Sequence, residues 1–227
     1  LTRAMKQSER YRLMRNAGYT ADQIRKAFDE PHEMTVFSYE RGEIDTVMSS
    51  MDSIRYYKHF LRCGFMSMEP STGYVKAYVG GPDFTHFQYD MAMVGRRQVG
   101  STIKPYLYTL AMENGFSPCD QTRNVEQTIL TEDGQIWIPR NTGNKDDYGK
   151  IVTLRWGLSQ SNNWISAYLM SKLNPYAFKS LIHQFGIRNQ DIQPTPSLCL
   201  GPCDISVGEM VGAYTAFPNN GIRTEPL

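Results

Sequence analysis

Two short stretches of the chain carry hydroxyl, amine and amide side chains at spacings that suit acyl transfer. In the first, "VGSTIKP", Ser101 follows a glycine, Lys104 stands three residues later, and Pro105 comes directly after the lysine. A helix tolerates proline in its first turn because the N–H groups there have no intrahelical partner. Pro105 therefore predicts a helix start, with Ser101 and Lys104 on one helix face and within reach of each other.

A serine at this position has the surroundings of a nucleophile. The free N–H groups and the positive dipole end of a helix N-terminus stabilise an oxyanion. Burial and the same dipole disfavour a charged Lys104 and lower its pKa towards a value useful for a general base. The pattern indicates activation of Ser101 without histidine. Taken alone, the Ser-x-x-Lys spacing also fits a helix-start serine beside a solvated lysine.

The second stretch, "SQSNN", is a polar run that interrupts a helical pattern starting at Thr153. Within it, Ser161 and Asn163 are predicted to point a hydroxyl and an amide the same way. Alternatively, Ser161 or Asn162 serves only as the N-cap of the helix that resumes after the run. The presence of both motifs in one chain favours the catalytic interpretation.

Composition narrows the class of protein. The 227 residues are 41% hydrophobic and 21% charged with a formal net charge of +1, which indicates a globular protein without the basic footprint of a nucleic-acid binder. No stretch approaches the roughly 18 consecutive apolar residues of a membrane span. The four histidines are scattered and no Cys-x-x-Cys occurs, so neither a metal nor another cofactor is predicted. Cys199 and Cys203 flank a Gly-Pro pair, which leaves both a loop disulfide and two separate thiols open.

The surrounding patterns predict an α+β fold. In chain order the predicted elements are two short amphipathic helices divided at Asn16–Gly18 with Thr20 as an N-cap, a strand over 32–39, a helix within 49–64, a hairpin pairing 65–69 with 74–79, and mostly helices after residue 100. Asn174-Pro175 predicts one of these late helices. Ser206 and Glu209 form a capping box that opens the last one, which gives Glu209 a structural role. The residues of that helix predicted to face inward are Val207, Met210, Val211 and Tyr214.

At its two motifs the sequence resembles the transpeptidase domain of the class A, bifunctional penicillin-binding proteins, which share Ser-x-x-Lys and Ser-x-Asn with the β-lactamases. Similarity extends through "SMEPSTGYVKAYVGG", "RRQVGSTIKP", "WIPRN", "GKIVTLRWGLSQSNN" and "LCLGPCDISVGEMVGAYTAFPNNG". The resemblance implies a penicillin-binding and serine β-lactamase-like fold, a helical subdomain against an antiparallel sheet. The hairpin would supply two of the family's five strands, so the sheet would be incomplete here.

The resemblance also implies a domain organisation. Residues 1–47 would be the linker that follows a glycosyltransferase domain outside these residues, and residues 48–227 would be a transpeptidase domain that stops before the family's Lys-Thr-Gly strand. No Lys-Thr-Gly follows Asn163. We expect an exposed sheet edge and little activity from these residues alone, and rapid labelling of Ser101 by a fluorescent penicillin would contradict that expectation.

Family roles carry over to four positions. Ser101 would attack the penultimate D-Ala carbonyl of a peptidoglycan stem peptide, Lys104 would take the serine proton, Ser161 would relay a proton to the departing amine, and Asn163 would hold Lys104 and the substrate amide. A neighbouring stem-peptide amine would then resolve the acyl-enzyme, and β-lactam antibiotics would compete for the same site. The residues predicted to border the substrate are Gly100, Asn162, Trp164 and Trp137, although tryptophans in such positions more often belong to the core.

The same resemblance implies a location at the extracytoplasmic face of the bacterial cytoplasmic membrane, as a periplasmic domain reached through an N-terminal anchor outside these residues. Three alternatives remain. A serine β-lactamase would need a deacylating glutamate, and Met170 stands at the nearest matching position, in "MSKLN". A penicillin-sensing receptor domain would keep the motif residues but lack the upstream segments. A helical scaffold without chemistry would make both motifs coincidental.

Overall fold

The structure, a computed structural model, describes residues 1–227. Contacts within the chain divide it into a first unit of residues 1–62 with 83–86 and a second unit of residues 63–82 with 87–227. Each unit has its own hydrophobic core. None of the helices has the length and apolar character needed to span a bilayer.

The first unit combines helices with one long hairpin. Its elements are α1 Thr2–Gln7, α2 Glu9–Asn16, α3 Ala21–Asp29, β1 Pro31–Ser38, β2 Gly42–Ser49 and α4 Ser50–His59. Thr20 and Gln23 form a full capping box at the start of α3, which confirms the predicted N-cap. The short α1 was not predicted; it ends at Ser8, whose side chain then caps α2.

The position of α4 explains where the first unit ends. Met51 and Ile54 of this helix pack against a small core of Met5, Ile24 and Phe28. The domain boundary expected from the sequence lies between residues 47 and 48. That position lies inside strand β2, which continues directly into α4. Residues up to Arg62 therefore belong with the first unit.

The second unit is helical with short antiparallel strand pairs. Its elements are β3 Phe65–Met68, β4 Val75–Val79, β5 Arg96–Gln98, α5 Lys104–Glu113, β6 Gln121–Arg123, β7 Ile129–Leu130, β8 Ile136–Trp137, β9 Ile151–Thr153, α6 Leu154–Ser159, α7 Asn163–Lys172, α8 Pro175–Gln184, β10 Asp204–Ser206 and α9 Val207–Tyr214. The pairs are β3–β4, β5–β10, β6–β9 and β7–β8. The predicted hairpin is confirmed as β3–β4, and no larger sheet forms.

Helix α5 lies at the centre of the second unit. It is buried on most of its circumference, and Leu107 packs with Ile165 of α7 and Ile182 of α8 in one core. A helix that is apolar nearly all round has to be enclosed by other elements. The residues at the start of α5 are therefore held by a rigid interior.

Helix α9 differs from its prediction in the face that it buries. Its capping box is present as expected, but its buried residues are Gly208, Gly212 and Ala213. The four larger apolar residues predicted to face inward are only half-buried, and they line an apolar groove of about 680 Å³. Small residues occupy the buried face of α9 because neighbouring segments lie very close to it. A Cβ on Gly208, for example, would lie 2.2 Å from the sulfur of Met93.

Candidate active site

Ser101 lies in a tight turn at the N-terminal end of α5. The turn is a 3-10 helix over Gly100–Ile103, and α5 begins at Lys104 with Pro105 in its first turn. The prediction of a helix start at this point is confirmed, although its first turn is 3-10 rather than α. The backbone N–H of Lys104 donates to the carbonyl of Ser101 and closes the turn.

A close backbone approach fixes this turn from the other side. Gly100 N–H donates to Gly201 C=O at 3.0 Å, and both glycines have left-handed φ values of 55° and 71°. A Cβ on Gly201 would lie 2.1 Å from the Gly100 carbonyl oxygen. The pairing of β5 with β10 continues the same contact. The turn therefore depends on a segment about a hundred residues further along the chain.

The two side chains of the Ser-x-x-Lys motif differ in exposure. Ser101 is exposed and its hydroxyl makes no hydrogen bond, whereas Lys104 is only 1% exposed. Lys104 Nζ donates to the Ser161 carbonyl oxygen at 2.5 Å, to Ser161 Oγ at 3.1 Å and to Asn163 Oδ1 at 2.7 Å. The fold thus brings the lysine of one motif onto the serine and asparagine of the other.

The Lys104 amine is electrostatically suited to losing its proton. Burial lowers the pKa of Lys104 to about 8. A thiolate at Cys199 would raise it again, but burial raises the pKa of that thiol to about 12, so Cys199 is neutral at ordinary pH. Cys199 and Cys203 are separate buried thiols, which selects one of the two alternatives left open by the sequence.

Ser161 occupies a strained backbone position between α6 and α7. Its backbone φ is +50°, a left-handed value that residues other than glycine rarely adopt. Its N–H donates to Leu158 C=O at 2.9 Å and closes the end of α6. This conformation directs both the carbonyl and the hydroxyl of Ser161 to Lys104. Strain of this kind concentrates at functional sites.

Asn163, the first residue of α7, is held at both ends of its amide. Oδ1 accepts from Lys104, and Nδ2 donates to the carbonyl of Arg140 at 2.8 Å. The backbone N–H of Asn163 donates to Asn141 Oδ1 at 3.3 Å. Sequence reasoning noted the "WIPRN" segment only as a family similarity and gave no role to Arg140 or Asn141. The sequence offered no signal for Asn141 beyond its place two residues after Pro139, in a polar stretch.

Two of the predicted substrate contacts are buried structural residues. Asn162 is 2% exposed; its Oδ1 caps α7 by accepting from Ile165 N–H at 3.1 Å, and its Nδ2 donates to Asn124 Oδ1 at 3.0 Å. Trp164 is 9% exposed and donates from Nε1 to the Pro139 carbonyl at 3.1 Å. Every polar atom of either side chain is already paired inside the protein, which gives both residues a structural role; their contact with a substrate stays a prediction.

The other two predicted contacts are placed differently. Trp137 lies in β8, half-buried against the main core, where it fits the core alternative. Gly100 is half-buried and directly precedes Ser101, so it alone of the four predicted contacts lies in the turn that holds Ser101. Its contact with a substrate stays a prediction.

Two known protein families match consecutive parts of this chain. Residues 63–227 match the family described as "Penicillin binding protein transpeptidase domain", and residues 1–61 match "Penicillin-binding protein middle domain". The chain therefore belongs to the penicillin-binding proteins, with a transpeptidase domain of the class A type.

Within that family the similarity is to proteins named penicillin-binding protein 1A. The Escherichia coli K12 protein is 32% identical over 162 residues, which are 71% of this chain and 19% of the relative. The Neisseria meningitidis Z2491 protein is 28% identical over 165 residues, 72% of this chain and 20% of the relative. The chain thus spans about a fifth of the length of these relatives.

Solved structures agree with the fold prediction. The crystal structure of penicillin-binding protein 1A from Haemophilus influenzae matches 73% of this chain and 25% of its own chain, with a TM-score of 0.68 and 27% identity. Penicillin-binding protein PonA1 from Mycobacterium tuberculosis matches 98% of this chain and 58% of its own, with a TM-score of 0.59 and 21% identity, a likeness of fold alone. The expected α+β transpeptidase fold with an incomplete sheet is confirmed.

Proposed function

We propose that this chain carries the acyl-transfer site of a peptidoglycan D,D-transpeptidase, with Ser101 as the nucleophile and Lys104 as its general base. The observation that carries the proposal is the buried Lys104 amine, held by Ser161 and Asn163 at the foot of the turn that exposes Ser101. Family membership supports the reaction class.

Three oxygens lie within 3.1 Å of Lys104 Nζ, as many as a charged amine has N–H groups, and a neutral amine can still serve the two closest. A neutral amine has two N–H groups and one lone pair, and the two shortest contacts of Nζ, to Ser161 O and Asn163 Oδ1, use both N–H groups. The lone pair is then free to accept a hydroxyl proton. A lysine pKa lowered to about 8 keeps part of the population in this form near neutral pH.

In the proposed acylation, Lys104 Nζ takes the Ser101 proton as Ser101 Oγ attacks the carbonyl carbon of the penultimate D-Ala. The carbonyl electrons move to oxygen, where the backbone N–H of Ser101 donates to the oxyanion; losing one such donor costs on the order of 3 kcal/mol of barrier. The C–N bond then breaks, and the proton passes from Lys104 through Ser161 to the departing D-Ala amine. This leaves the acyl-enzyme ester on Ser101.

The second half-reaction reverses these proton movements. The amine of a neighbouring stem peptide attacks the ester carbonyl, its proton passes to Lys104, and Ser101 leaves with a proton as a new amide cross-link forms. With water in place of the amine, the same steps amount to carboxypeptidase activity. The strained amide of a β-lactam would acylate Ser101 in the same way.

The wider context is part of the proposal. The relatives' name, penicillin-binding protein 1A, supports a penicillin-binding role; the proposal places it in cell-wall synthesis at the extracytoplasmic face of the cytoplasmic membrane, in a parent protein that also carries a glycosyltransferase and a membrane anchor. The middle-domain match of residues 1–61 supports such a synthase over a penicillin-sensing receptor. The buried Met170 supports a transpeptidase over a β-lactamase, because it offers no deacylating carboxylate.

Intact-mass measurement after exposure of the full-length protein to benzylpenicillin tests the nucleophile. We expect one persistent adduct on the native protein and none on Ser101→Ala. The matched control is Ser159→Ala, an exposed serine near the second motif whose hydroxyl donates only to Trp156 C=O; it should label fully. An adduct that survives in Ser101→Ala would refute the assignment, and rapid loss of the native adduct would favour the lactamase alternative.

A further inference from the structure

The orientation of the Asn163 amide has a visible cause outside the two motifs. An asparagine amide has an acceptor end and a donor end, and turning it over exchanges them. The Arg140 carbonyl, 2.8 Å from Nδ2, accepts only from the donor end. The acceptor end is therefore directed to Lys104 Nζ at 2.7 Å.

The segment that supplies this carbonyl is fixed at three successive residues. The carbonyl of Pro139 accepts from Trp164 Nε1 at 3.1 Å, that of Arg140 from Asn163 Nδ2, and that of Asn141 from the Tyr148 hydroxyl at 3.4 Å. The Trp164 and Tyr148 rings also pack together, with centroids 4.4 Å apart. Side chains on both sides thus hold the segment Pro139–Asn141 in place.

Asn141 connects this segment to the backbone of Asn163. Its Oδ1 accepts the Asn163 N–H, one of the helix-start N–H groups that lack an intrahelical partner. Its Nδ2 is buried without any hydrogen-bond partner. A buried donor left unpaired costs stability, so an asparagine here is poorly explained by stability alone.

We propose that Asn141 is a positioning residue of the acyl-transfer site, which sets the Asn163 amide so that its oxygen faces the Lys104 amine. The inference rests on the proposed function for its catalytic consequence. Without the Asn141 side chain the Asn163 N–H loses its partner, the start of α7 keeps only the Trp164 and Asn163 side-chain bonds to the segment, and the Asn163 amide turns over more readily. Its N–H would then donate to the Lys104 lone pair and compete with the proton of Ser101.

Kinetics of acylation by benzylpenicillin give the first test, in the full-length protein. For Asn141→Ala we expect the second-order rate constant to fall roughly ten- to a hundredfold, with the thermal midpoint little changed. Asn141→Asp keeps the acceptor oxygen and should recover part of the rate, while its added charge shifts the pH profile of acylation upward. The control is Asn144→Ala, in the same loop, whose Oδ1 accepts only from Asp146 N–H; it should acylate normally.

Hydrogen exchange of the Asn163 side-chain amide gives a second test that needs no acylation. The signal is assigned by its disappearance in Asn163→Asp. We expect slow exchange in the native protein and in Asn144→Ala, and fast exchange in Asn141→Ala. Unchanged exchange or an unchanged acylation rate in Asn141→Ala would overturn the proposal. A native protein that fails to acylate would refute the proposed function alone, since exchange still reports on the positioning.

Discussion

Lys104 is a buried amine with more hydrogen-bond acceptors around it than a neutral amine has N–H groups. Two carbonyl-type oxygens and one hydroxyl oxygen lie within 3.1 Å of Nζ. Hydrogen-bond acceptors stabilise the charged form of Lys104, but the effect of burial is larger and lowers the pKa of the Lys104 amine. A pKa lowered to about 8 leaves part of the Lys104 population neutral near pH 7.

The pH dependence of acylation follows from this pKa. Only neutral Lys104 accepts the Ser101 proton, and the neutral fraction rises with pH until it saturates above a pKa of about 8. We expect the acylation rate by benzylpenicillin to rise about tenfold per pH unit well below that value and to level off above it. Stopped-flow or quench rates between pH 6 and pH 10 measure the profile. A flat profile across this range would exclude Lys104 as the titrating base.

The left-handed backbone of Ser161 makes a prediction about stability. Ser161→Gly and Ser161→Ala both remove the hydroxyl, so acylation should fall in each. Only glycine relieves the steric cost of φ +50°, and we expect the glycine variant to be the more stable of the pair by about 1 kcal/mol. Urea denaturation of the two variants gives the difference. An alanine variant as stable as the glycine variant would show that Ser161 is not strained.

At the scale of elements, the site is built where helix starts meet irregular segments. Helix α5 presents Lys104, the bend between α6 and α7 presents Ser161 and Asn163, and the segment Pro139–Asn141 holds that bend in turn. Helix starts offer unpaired N–H groups, so each of these junctions can be tied to a neighbour through its backbone. The positions of the proposed catalytic groups therefore depend on contacts between elements rather than within one.

The backbone contact between Gly201 and Gly100 gives an element-scale prediction. In Gly201→Ala the added Cβ would meet the Gly100 carbonyl oxygen at 2.1 Å, so the Ser101 turn must move. We expect acylation to fall roughly a hundredfold. The control is Gly149→Ala, which has a similar left-handed φ of 79° but no atom within 4 Å of the new Cβ; it should lose about 1 kcal/mol of stability and acylate normally. Equal effects in both variants would mean that only backbone strain matters.

At the scale of the whole molecule, the chain has two cores and one candidate site. Phe28 is 1% exposed in the small core of the first unit, whereas Leu107 is fully buried in the main core of the second. Every residue assigned to the acyl-transfer site belongs to the second unit. Loss of packing in one core should therefore destabilise the unit that contains that core and leave the other unit folded.

Truncation of each core provides that experiment. Phe28→Ala should destabilise the first unit by roughly 3–5 kcal/mol, and proteolysis should then cut within residues 1–62 while penicillin labelling of Ser101 persists. Leu107→Ala should expose the second unit to proteolysis and reduce labelling. Mass spectrometry identifies the cleavage sites and the adduct together. Loss of labelling in Phe28→Ala would show that the site depends on the first unit.

The sequence determined those features that neighbours along the chain control. Caps at Thr20, Asn174 and Ser206 were predictable because a side-chain oxygen reaches N–H groups only two or three residues away. The β3–β4 hairpin and the helix start at Pro105 follow from equally local rules. The two motifs were also readable, since their presence in one chain favoured a serine and its base over a helix-start serine and a helix cap.

Only the tertiary structure decided which of these groups meet. The contact of Asn163 with Lys104 was implied by the family resemblance and by nothing local. No sequence pattern predicts that Arg140 and Asn141 hold the amide, or that Gly201 touches Gly100. The N-cap role of Asn162 and a core position for Trp164 were open alternatives in the sequence, and only the structure shows their partners Asn124 and Pro139. Local patterns carry information across about one helical turn, whereas these contacts join segments far apart in the chain, and their geometry is set by how helices pack around α5.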